Sequence, residues 1–343
     1  MKQKYIKLAV TQTETLCKIP SPSGFTKLAT DYLIQECKQL GFKPSSSRKN
    51  SVLVDIGGEG NPIVLAAHVD TLGAMVRSIK SKGRLRLTKI GGYPENNIEA
   101  ENCIIHTRLG KEYSATIQLE NPAVHVNSEL GKIERSDKNV EVVIDEKVSN
   151  KKDVEKLGIS AGDFISFDPR TIITNSGFIK SRHLDDKASV GILLSFATLV
   201  SDIEIKLNRK VYLLYTTYEE VGHGGASGIP DDIEEMISVD MGAVGDDLGT
   251  DEHKVSICAK DSGGPYDYNV TTKLVELAKK NKLNYAVDIY PHYGSDVEAT
   301  LRAGYDIRHA LIGPGVSASH GYERTHKEGL ENTLKLLVAY LEK

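Results

Sequence analysis

Residues Pro62–Ala67 form an almost uninterrupted apolar run that leads directly into His68-Val69-Asp70. Such a run is typical of a strand buried on both faces of a parallel sheet. A helix with apolar spacing is predicted before it at Lys2–Cys17, and a second apolar strand far beyond it at Val211–Tyr218. Strands that alternate with helices predict an α/β fold with a mostly parallel sheet and helices on both faces. The other predicted elements of this part are helices Thr26–Leu40, Lys187–Val200, Thr271–Asn281 and His326–Leu341, and strands Ser51–Ile56 and Met236–Val239.

The middle of the chain has a different pattern. Short alternating segments, separated by glycine-containing and charged turns, predict β-strands at Arg84–Ile90, Cys103–Thr107, Tyr113–Leu119, Val140–Asp145 and Phe164–Phe167. One helix is predicted there, at Lys151–Leu157, with Asn150 as its N-cap. We therefore expect a small β-rich domain at residues 73–167, inserted into an α/β domain formed by residues 1–72 and 168–343.

Charge and composition exclude several classes of partner. The 343 residues include 43 Lys plus Arg and 47 Asp plus Glu, a formal net charge of −4. This charge gives no electrostatic footprint for nucleic acid or an anionic membrane, so neither is expected as a partner. No apolar run reaches the ~18–20 residues of a membrane span. Four widely spaced cysteines are typical of reduced thiols, and with no apolar signal core after Met1 they favour a cytoplasmic protein.

Metal-binding residue types follow three of the predicted strands. His68 follows the first apolar run, Glu219-Glu220 follow Val211–Tyr218, and Asp240 follows Met236–Val239. In open α/β sheets ligands bind beyond the carboxyl ends of the strands, so these side chains are expected to converge. Two further candidates are Asp185-Asp186, directly before a helix, and His320 in a Gly/Ser-rich loop. A plainer alternative exists for each, namely a helix N-cap, a solvated strand end or a surface pair.

The spacing of these residues suggests individual roles. His68 and Asp70 share one face of an extended chain, so Asp70 can accept a hydrogen bond from the second nitrogen of His68. Glu219 and Glu220 are expected to point to opposite sides, so that one can bind a metal while the other accepts a proton. The combined nitrogen and oxygen ligands suit zinc, cobalt or manganese, whereas a structural zinc site would need clustered cysteines.

Six segments, in order along the chain, resemble the glutamyl/deblocking aminopeptidases, the tetrahedral-particle family of dinuclear metallo-aminopeptidases. They are Ser21–Phe25, Ala67–Asp70 with Gly73, Leu184–Lys187, Glu219–Gly222, Val239–Gly242 and Ser319–Gly321. The resemblance implies a zinc-exopeptidase-like catalytic domain that acts on peptides. It also implies that the inserted β domain forms dimers, which assemble into larger homo-oligomers such as dodecamers.

The resemblance also implies a role for each matching residue. Two divalent ions per subunit, zinc or cobalt and also manganese, are expected on five ligands, with Asp185 bridging both ions. His68 and Asp240 complete the first site, and Glu220 and His320 complete the second, with His326 as the alternative to His320. Glu219 is the expected general base, and Asp70 is expected to orient His68. Asp296 lies in a segment that resembles the family's substrate cleft and is a candidate for binding the substrate amine, with a helix N-cap as the alternative.

Two other functions are compatible with the same residues. A dinuclear deacylase or carboxypeptidase acting on small amides would keep the fold and the metals but cleave a different bond. A non-catalytic assembly protein would keep only the scaffold. Every candidate ligand and the candidate base are chemically competent residue types, which disfavours this last alternative.

Overall fold

The computed structural model describes residues 2–343. The chain divides into two units, one formed by the residues up to Asp70 and from Arg170 onward, the other by Thr71–Pro169. Both junctions lie two residues from the boundaries expected from the sequence.

The strands are β1 Ser45–Ser46, β2 Val52–Gly57, β3 Ile63–His68, β4 Gly73–Ile79, β5 Leu85–Ile90, β6 Asn102–His106, β7 Glu112–Leu119, β8 Val140–Ile144, β9 Phe164–Phe167, β10 Ile172–Ile173, β11 Phe178–Ser181, β12 Val211–Thr216, β13 Glu235–Val239, β14 Gly242–Ala243, β15 Val255–Lys260, β16 Tyr285–Ile289, β17 Arg308–Val316 and β18 Glu323–His326. The helices are α1 Gln3–Cys17, α2 Lys27–Gln39, α3 Lys151–Leu157, α4 Leu184–Ser201, α5 Tyr268–Lys280, α6 Asp296–Arg302 and α7 Lys327–Leu341.

The first unit is built on a nine-stranded sheet. Its order is β1-β2-β12-β3-β13-β17-β15-β16, with β14 paired to β17. The four central strands, β12, β3, β13 and β17, are parallel to one another, whereas β2 and β15 join them in antiparallel fashion. The α/β fold with a mostly parallel sheet is therefore confirmed. A smaller three-stranded sheet, β10-β11-β18, lies in the same unit.

Strand β3 lies in the middle of the core because its side chains are apolar on both faces. Ile63, Leu65 and Ala67 pack into one buried cluster with residues of α1, α2, α4, α5 and α7. Val64 and Ala66 face the opposite cluster, which includes Val297 of α6. The apolar run thus predicts both the burial of this strand and the covering of the sheet on two sides. No helix in residues 2–343 combines the length and the apolar character that crossing a bilayer requires.

The second unit is a closed barrel of antiparallel strands, in the order β4-β5-β8-β7-β6-β9. Alternating inward residues of these strands form a separate apolar core. Helix α3 has the predicted bounds, and the side chain of Asn150 accepts a hydrogen bond from the amide of Asp153 as the predicted N-cap. The sequence missed strand Gly73–Ile79, whose second half carries Arg77 and Ser78 on exposed positions.

One predicted element boundary was wrong near the functional residues. Strand β12 ends at Thr216 rather than at Tyr218, because Tyr218 adopts a left-handed backbone conformation with φ 67°. Glu219–Val221 then form a short 3₁₀ helix. Helix α4 spans Leu184–Ser201, but the backbone angles of Asp185 and Asp186 are non-helical, so its continuous helical part begins at Lys187, as predicted. The sequence also gave no indication of strands β15, β16 and β17, which complete one side of the sheet.

Candidate metal and catalytic centre

Three adjacent parallel strands bring the candidate residues to one edge of the sheet. β3 lies between β12 and β13, and the three strands run in the same direction. His68 is the last residue of β3, Asp240 follows β13 directly, and Glu219 begins the 3₁₀ helix shortly after β12. The side chains that follow these three strands therefore lie at the same edge of the sheet, as expected for the carboxyl ends of parallel strands.

His68, Asp185 and Asp240 form a compact group of potential ligands. One ligand atom from each lies within 4.8 Å of the others, and all three residues are buried. His68 Nε2 is 3.0 Å from Asp185 Oδ1. Asp240 is held by its own loop, because its Oδ1 accepts a hydrogen bond from the amide of Met241 at 2.7 Å. One nitrogen and two carboxylates at this spacing can hold a divalent ion.

The other oxygen of Asp185 faces a second group. His320 Nε2 lies 3.4 Å from Asp185 Oδ2 and 3.6 Å from Glu220 Oε2. The hydroxyl of Ser319 also donates to Asp185 Oδ2, at 3.1 Å. Asp185 therefore lies between two histidines and presents a different oxygen to each, which is the arrangement that a bridging carboxylate requires.

The ring of His68 is oriented by the backbone of Asp70. His68 Nδ1 lies 2.9 Å from the carbonyl oxygen of Asp70, whereas the nearer carboxylate oxygen is 3.7 Å away. Because a carbonyl only accepts, Nδ1 carries a proton. Burial opposes a charge on the ring, but the hydrogen bond to Asp185 raises the pKa of His68 well above its ordinary value, so without a metal Nε2 is also protonated and donates to Asp185. A bound ion would take the place of that Nε2 proton. We expected the carboxylate of Asp70 to accept this hydrogen bond, and that expectation was wrong.

The carboxylate of Asp70 instead holds the segment that carries both glutamates. It accepts hydrogen bonds from the backbone amides of Glu219, at 3.1 Å, and Glu220, at 3.3 Å, and from the hydroxyl of Ser23. Asp70 is completely buried, so these bonds are shielded from water. One residue thus fixes His68 through its carbonyl and the two glutamates through its carboxylate.

Glu219 and Glu220 lie beside different histidines. They were expected to diverge as neighbours at the end of a strand, but they lie in a 3₁₀ helix. Glu219 Oε2 lies 3.7 Å from His68 Nε2, while Glu220 lies beside His320. The side chain of Glu219 is 16% exposed, compared with 4% for Glu220. Glu219 is therefore the more accessible of the two to a substrate.

The centre contains more acidic than basic side chains. Five buried or nearly buried carboxylates surround two imidazoles, and they are Asp185, Asp186, Glu219, Glu220 and Asp240. Burial, reinforced by the charge of Asp185, raises the pKa of Glu220 well above its ordinary value and that of Asp240 to about 7. Burial likewise raises the pKa of Glu219. Asp185 differs, because burial is outweighed by its hydrogen bonds with His320 and His68, which lower its pKa. One ionised carboxylate among others that ionise only when a cation arrives fits a site for divalent metal ions.

Asp186 and Asp296 support this centre from its sides. Asp186 Oδ2 accepts a hydrogen bond from the amide of His68 at 3.3 Å, so it holds the end of β3. Asp296 is the first residue of α6 and follows the N-cap Ser295, so it is not itself the N-cap. Its Oδ2 accepts from the hydroxyl of Thr216, and a Cβ atom on Gly224 would lie 2.4 Å from its Oδ1.

Glu323 belongs to the site and was not predicted. Its two carboxylate oxygens accept hydrogen bonds from the amides of Asp185, at 3.1 Å, and His320, at 3.0 Å. It is buried, and burial raises its pKa to about 8. Its partners are backbone amides, which are not specific to any residue type, so no pattern in the sequence indicates that Glu323 belongs to the site. In the segment His320–Glu323, the sequence indicates a candidate ligand only at the histidine.

His326, the alternative ligand, makes different contacts. Its Nδ1 accepts a hydrogen bond from the amide of Glu328 at 3.2 Å, and it serves as the N-cap of α7. Its Nε2 lies 2.9 Å from the carbonyl oxygen of Ser176. Of the two histidines, only His320 has a described contact with Asp185 and Glu220.

Comparison with known proteins agrees with this geometry. The YhfE protein of Bacillus subtilis (strain 168) is 48% identical over 95% of this chain and 95% of its own. An aminopeptidase from the archaeon Desulfurococcus kamchatkensis shares the fold with a TM-score of 0.86 at 23% identity, over 99% of this chain and 95% of that one. The Pyrococcus horikoshii TET1 peptidase, whose structure is described as assembling into a tetrahedron or a large octahedral shell, has a TM-score of 0.84 at 22% identity, over 98% and 99%. The profile of the M42 glutamyl aminopeptidases matches residues 50–336. The chain therefore belongs to the M42 glutamyl aminopeptidase family, whose members are metal-dependent hydrolases of peptide bonds.

Proposed function

We propose that this metal-dependent aminopeptidase removes N-terminal residues from peptides at a dinuclear centre. The observation that carries the proposal is the position of Asp185, which presents one oxygen to His68 and the other to His320. His68 and Asp240 would complete the first ion site. Glu220 and His320 would complete the second.

Glu219 is proposed as the general base. Two divalent ions, when bound, polarise the scissile carbonyl and lower the pKa of the attacking water. The carboxylate of Glu219 takes the proton of that water and returns it to the leaving amine. Its backbone amide donates a hydrogen bond to the buried Asp70, which holds in place the backbone that carries this side chain. Partial exposure of the Glu219 side chain leaves it accessible to the substrate.

Asp296 is proposed to receive the free α-amine of the substrate. It is buried, and its neighbour Gly224 has no side chain that would cover Oδ1. Burial raises the pKa of Asp296 to about 6, still low enough for the carboxylate to be charged at neutral pH and to attract an ammonium group. A free amine at this position would distinguish an aminopeptidase from a deacylase acting on the same scaffold.

Zinc or cobalt is proposed for both ions, with manganese as a further possibility, because histidine and carboxylate ligands suit all three. The protein is proposed to be cytoplasmic, since its four described thiols are unpaired.

We further propose that the protein is a homo-oligomer. The barrel unit would mediate dimers, and these dimers would assemble into particles as large as a dodecamer. Exposed apolar side chains on that unit, Leu109, Val124 and Val126, support an interface there. Light scattering should give an oligomer at micromolar concentration, and a monomer would contradict the role of the barrel.

The proposed activity is tested with the metal-stripped protein. Dialysis against a chelator should abolish cleavage of free-amine aminoacyl anilides, and zinc, cobalt or manganese should restore it. The same anilides with acetylated amines should remain uncleaved. Cleavage of the acetylated series would favour a deacylase, and no cleavage with any metal would refute the proposed reaction.

The bridging role of Asp185 has a separate readout. Asp185→Asn should lower the occupancy of both ions, because one oxygen becomes an amide nitrogen that cannot act as a ligand. Asp231→Asn, an exposed residue of a different segment, is the matched control and should bind metal as the unmodified protein does. Full occupancy of both ions in Asp185→Asn would refute the bridge.

A further inference from the structure

A second cluster of metal-binding residue types lies outside the centre described above. His253 lies in the loop before β15, His326 ends β18, and Glu328 lies in the first turn of α7. One ligand atom from each residue lies within 4.8 Å of the others. None of these residues belongs to the candidate catalytic centre.

The nitrogen atoms of the cluster point at one carboxylate oxygen. His253 Nδ1 is 3.0 Å from Glu328 Oε2, and His326 Nδ1 is 4.0 Å from the same atom. His326 Nε2 lies 2.9 Å from the carbonyl oxygen of Ser176, so the ring proton is on Nε2 and the lone pair is on Nδ1. A backbone carbonyl on the far nitrogen is the usual support of a metal-binding histidine.

We propose that His253, His326 and Glu328 form a separate zinc-binding site. In a tetrahedral site with zinc–ligand bonds of about 2.0–2.1 Å, neighbouring ligand atoms are ~3.3 Å apart. The observed separations of 3.0 Å and 4.0 Å lie on either side of that value, so small rotations of the side chains suffice. Two imidazoles and one carboxylate leave the fourth position to water, which the partial exposure of His253 and Glu328 allows.

The surroundings hold the two imidazoles in place. Their ring centroids are 4.3 Å apart, and Phe178 packs edge-on against both. The carbonyl oxygen of His253 accepts a hydrogen bond from Asn332 at 3.0 Å, which ties the loop to α7. The site would therefore clamp the loop before β15 onto the start of α7.

Two nearby basic side chains pair with other carboxylates, so they do not compete with zinc for the carboxylate of Glu328. Lys254 pairs with Asp251 at 2.9 Å, and Arg324 lies 3.4 Å from Glu252. The competing interaction is the hydrogen bond from the amide of Glu328 to His326 Nδ1, whose length of 3.2 Å is at the upper end of the normal range. The zinc ion would replace it as the partner of that lone pair.

The experiment counts zinc ions bound per chain. The full-length protein is stripped with a chelator, dialysed to equilibrium against micromolar zinc and analysed for metal. The unmodified protein should bind one more ion per chain than either His253→Ala or Glu328→Gln. His125→Ala, which removes an exposed histidine of the barrel unit, should bind as many ions as the unmodified protein.

Two further readouts make the result decisive. Zinc added to the stripped protein should raise the unfolding temperature more for the unmodified chain than for His253→Ala. His253→Ala should retain aminopeptidase activity, because none of the described contacts of His253 involve the candidate catalytic centre. If the proposed aminopeptidase reaction is wrong, the unmodified protein and every variant will be inactive, and the zinc count still tests the second site. Equal zinc content in the unmodified protein and in both cluster variants would overturn the proposal, as would an equal loss of zinc in His125→Ala.

Discussion

Asp70→Asn tests how the segment that carries Glu219 and Glu220 is held. Oδ1 of Asp70 accepts from the amide of Glu219 alone, whereas Oδ2 accepts from the amide of Glu220 and the hydroxyl of Ser23. An asparagine keeps more hydrogen bonds if its oxygen takes the place of Oδ2. Its NH₂ group then faces the amide of Glu219, and two donors oppose each other.

The magnitude follows from that opposed pair. A buried donor left without an acceptor costs about 1–3 kcal/mol. If this cost displaces Glu219 from its position, turnover should fall roughly tenfold to a hundredfold, since about 1.4 kcal/mol corresponds to a factor of ten. The backbone carbonyl that orients His68 is unchanged by the substitution, so the protein should still bind metal.

The assay is the kcat for a free-amine aminoacyl anilide, measured together with bound metal. Ser23→Ala is the matched control, because it removes one hydrogen bond from the same carboxylate and leaves both amide contacts intact. It should lose much less activity than Asp70→Asn. A kcat for Asp70→Asn within twofold of the unmodified enzyme, with full metal content, would refute this account of Asp70.

Three further predictions concern the surroundings of the centre. In the metal-stripped protein, burial raises the pKa of Asp240 from 3.8 to about 7 and that of Glu323 from 4.5 to about 8, so the folded state binds more protons than the unfolded state. The free energy of unfolding should therefore fall as pH rises from about 5 to 8. Zinc should stabilise the protein more at pH 8 than at pH 6, because the carboxylates are then ionised. Urea midpoints of the metal-stripped protein that do not change with pH would contradict this prediction. Gly224→Ala places a Cβ atom 2.4 Å from Asp296 Oδ1 and 3.0 Å from the backbone of Glu219, so kcat should fall at least tenfold, while Gly131→Ala, with open space at its Cβ, should not change it. Glu323→Gln turns an NH₂ group toward one of two backbone amides, so metal occupancy should fall because Asp185 and His320 are held less firmly, and unchanged occupancy would show that Glu323 does not position them.

The sequence predicted those features that depend on the periodicity of a single segment. The apolar run before His68 predicted a strand buried on both faces, and that strand lies in the middle of the sheet. The metal-binding residue types after three strands predicted the edge where they converge, since parallel neighbours end on the same side. These predictions succeeded because the pattern of each segment alone determines which side chains are buried.

Features that depend on contacts between distant segments were not predictable in the same way. Asp70 was expected to use its carboxylate on His68, but the carboxylate binds the amides of Glu219 and Glu220, which lie on another strand connection. Glu323 was missed because its partners are backbone amides, which every residue has. Strand β12 was predicted too long because the left-handed conformation of Tyr218 has no signature in an apolar, aromatic segment.

In the proposed mechanism, Glu219 moves the proton while other residues hold the metal. Glu219→Gln keeps the shape of the side chain and removes its basicity, so the variant should bind as much zinc as the unmodified enzyme while kcat falls about 10²–10⁴-fold. Glu220→Gln, the adjacent residue, should instead lose metal, because its carboxylate lies beside His320 as a proposed ligand. Near-normal turnover of metal-loaded Glu219→Gln would contradict the account directly.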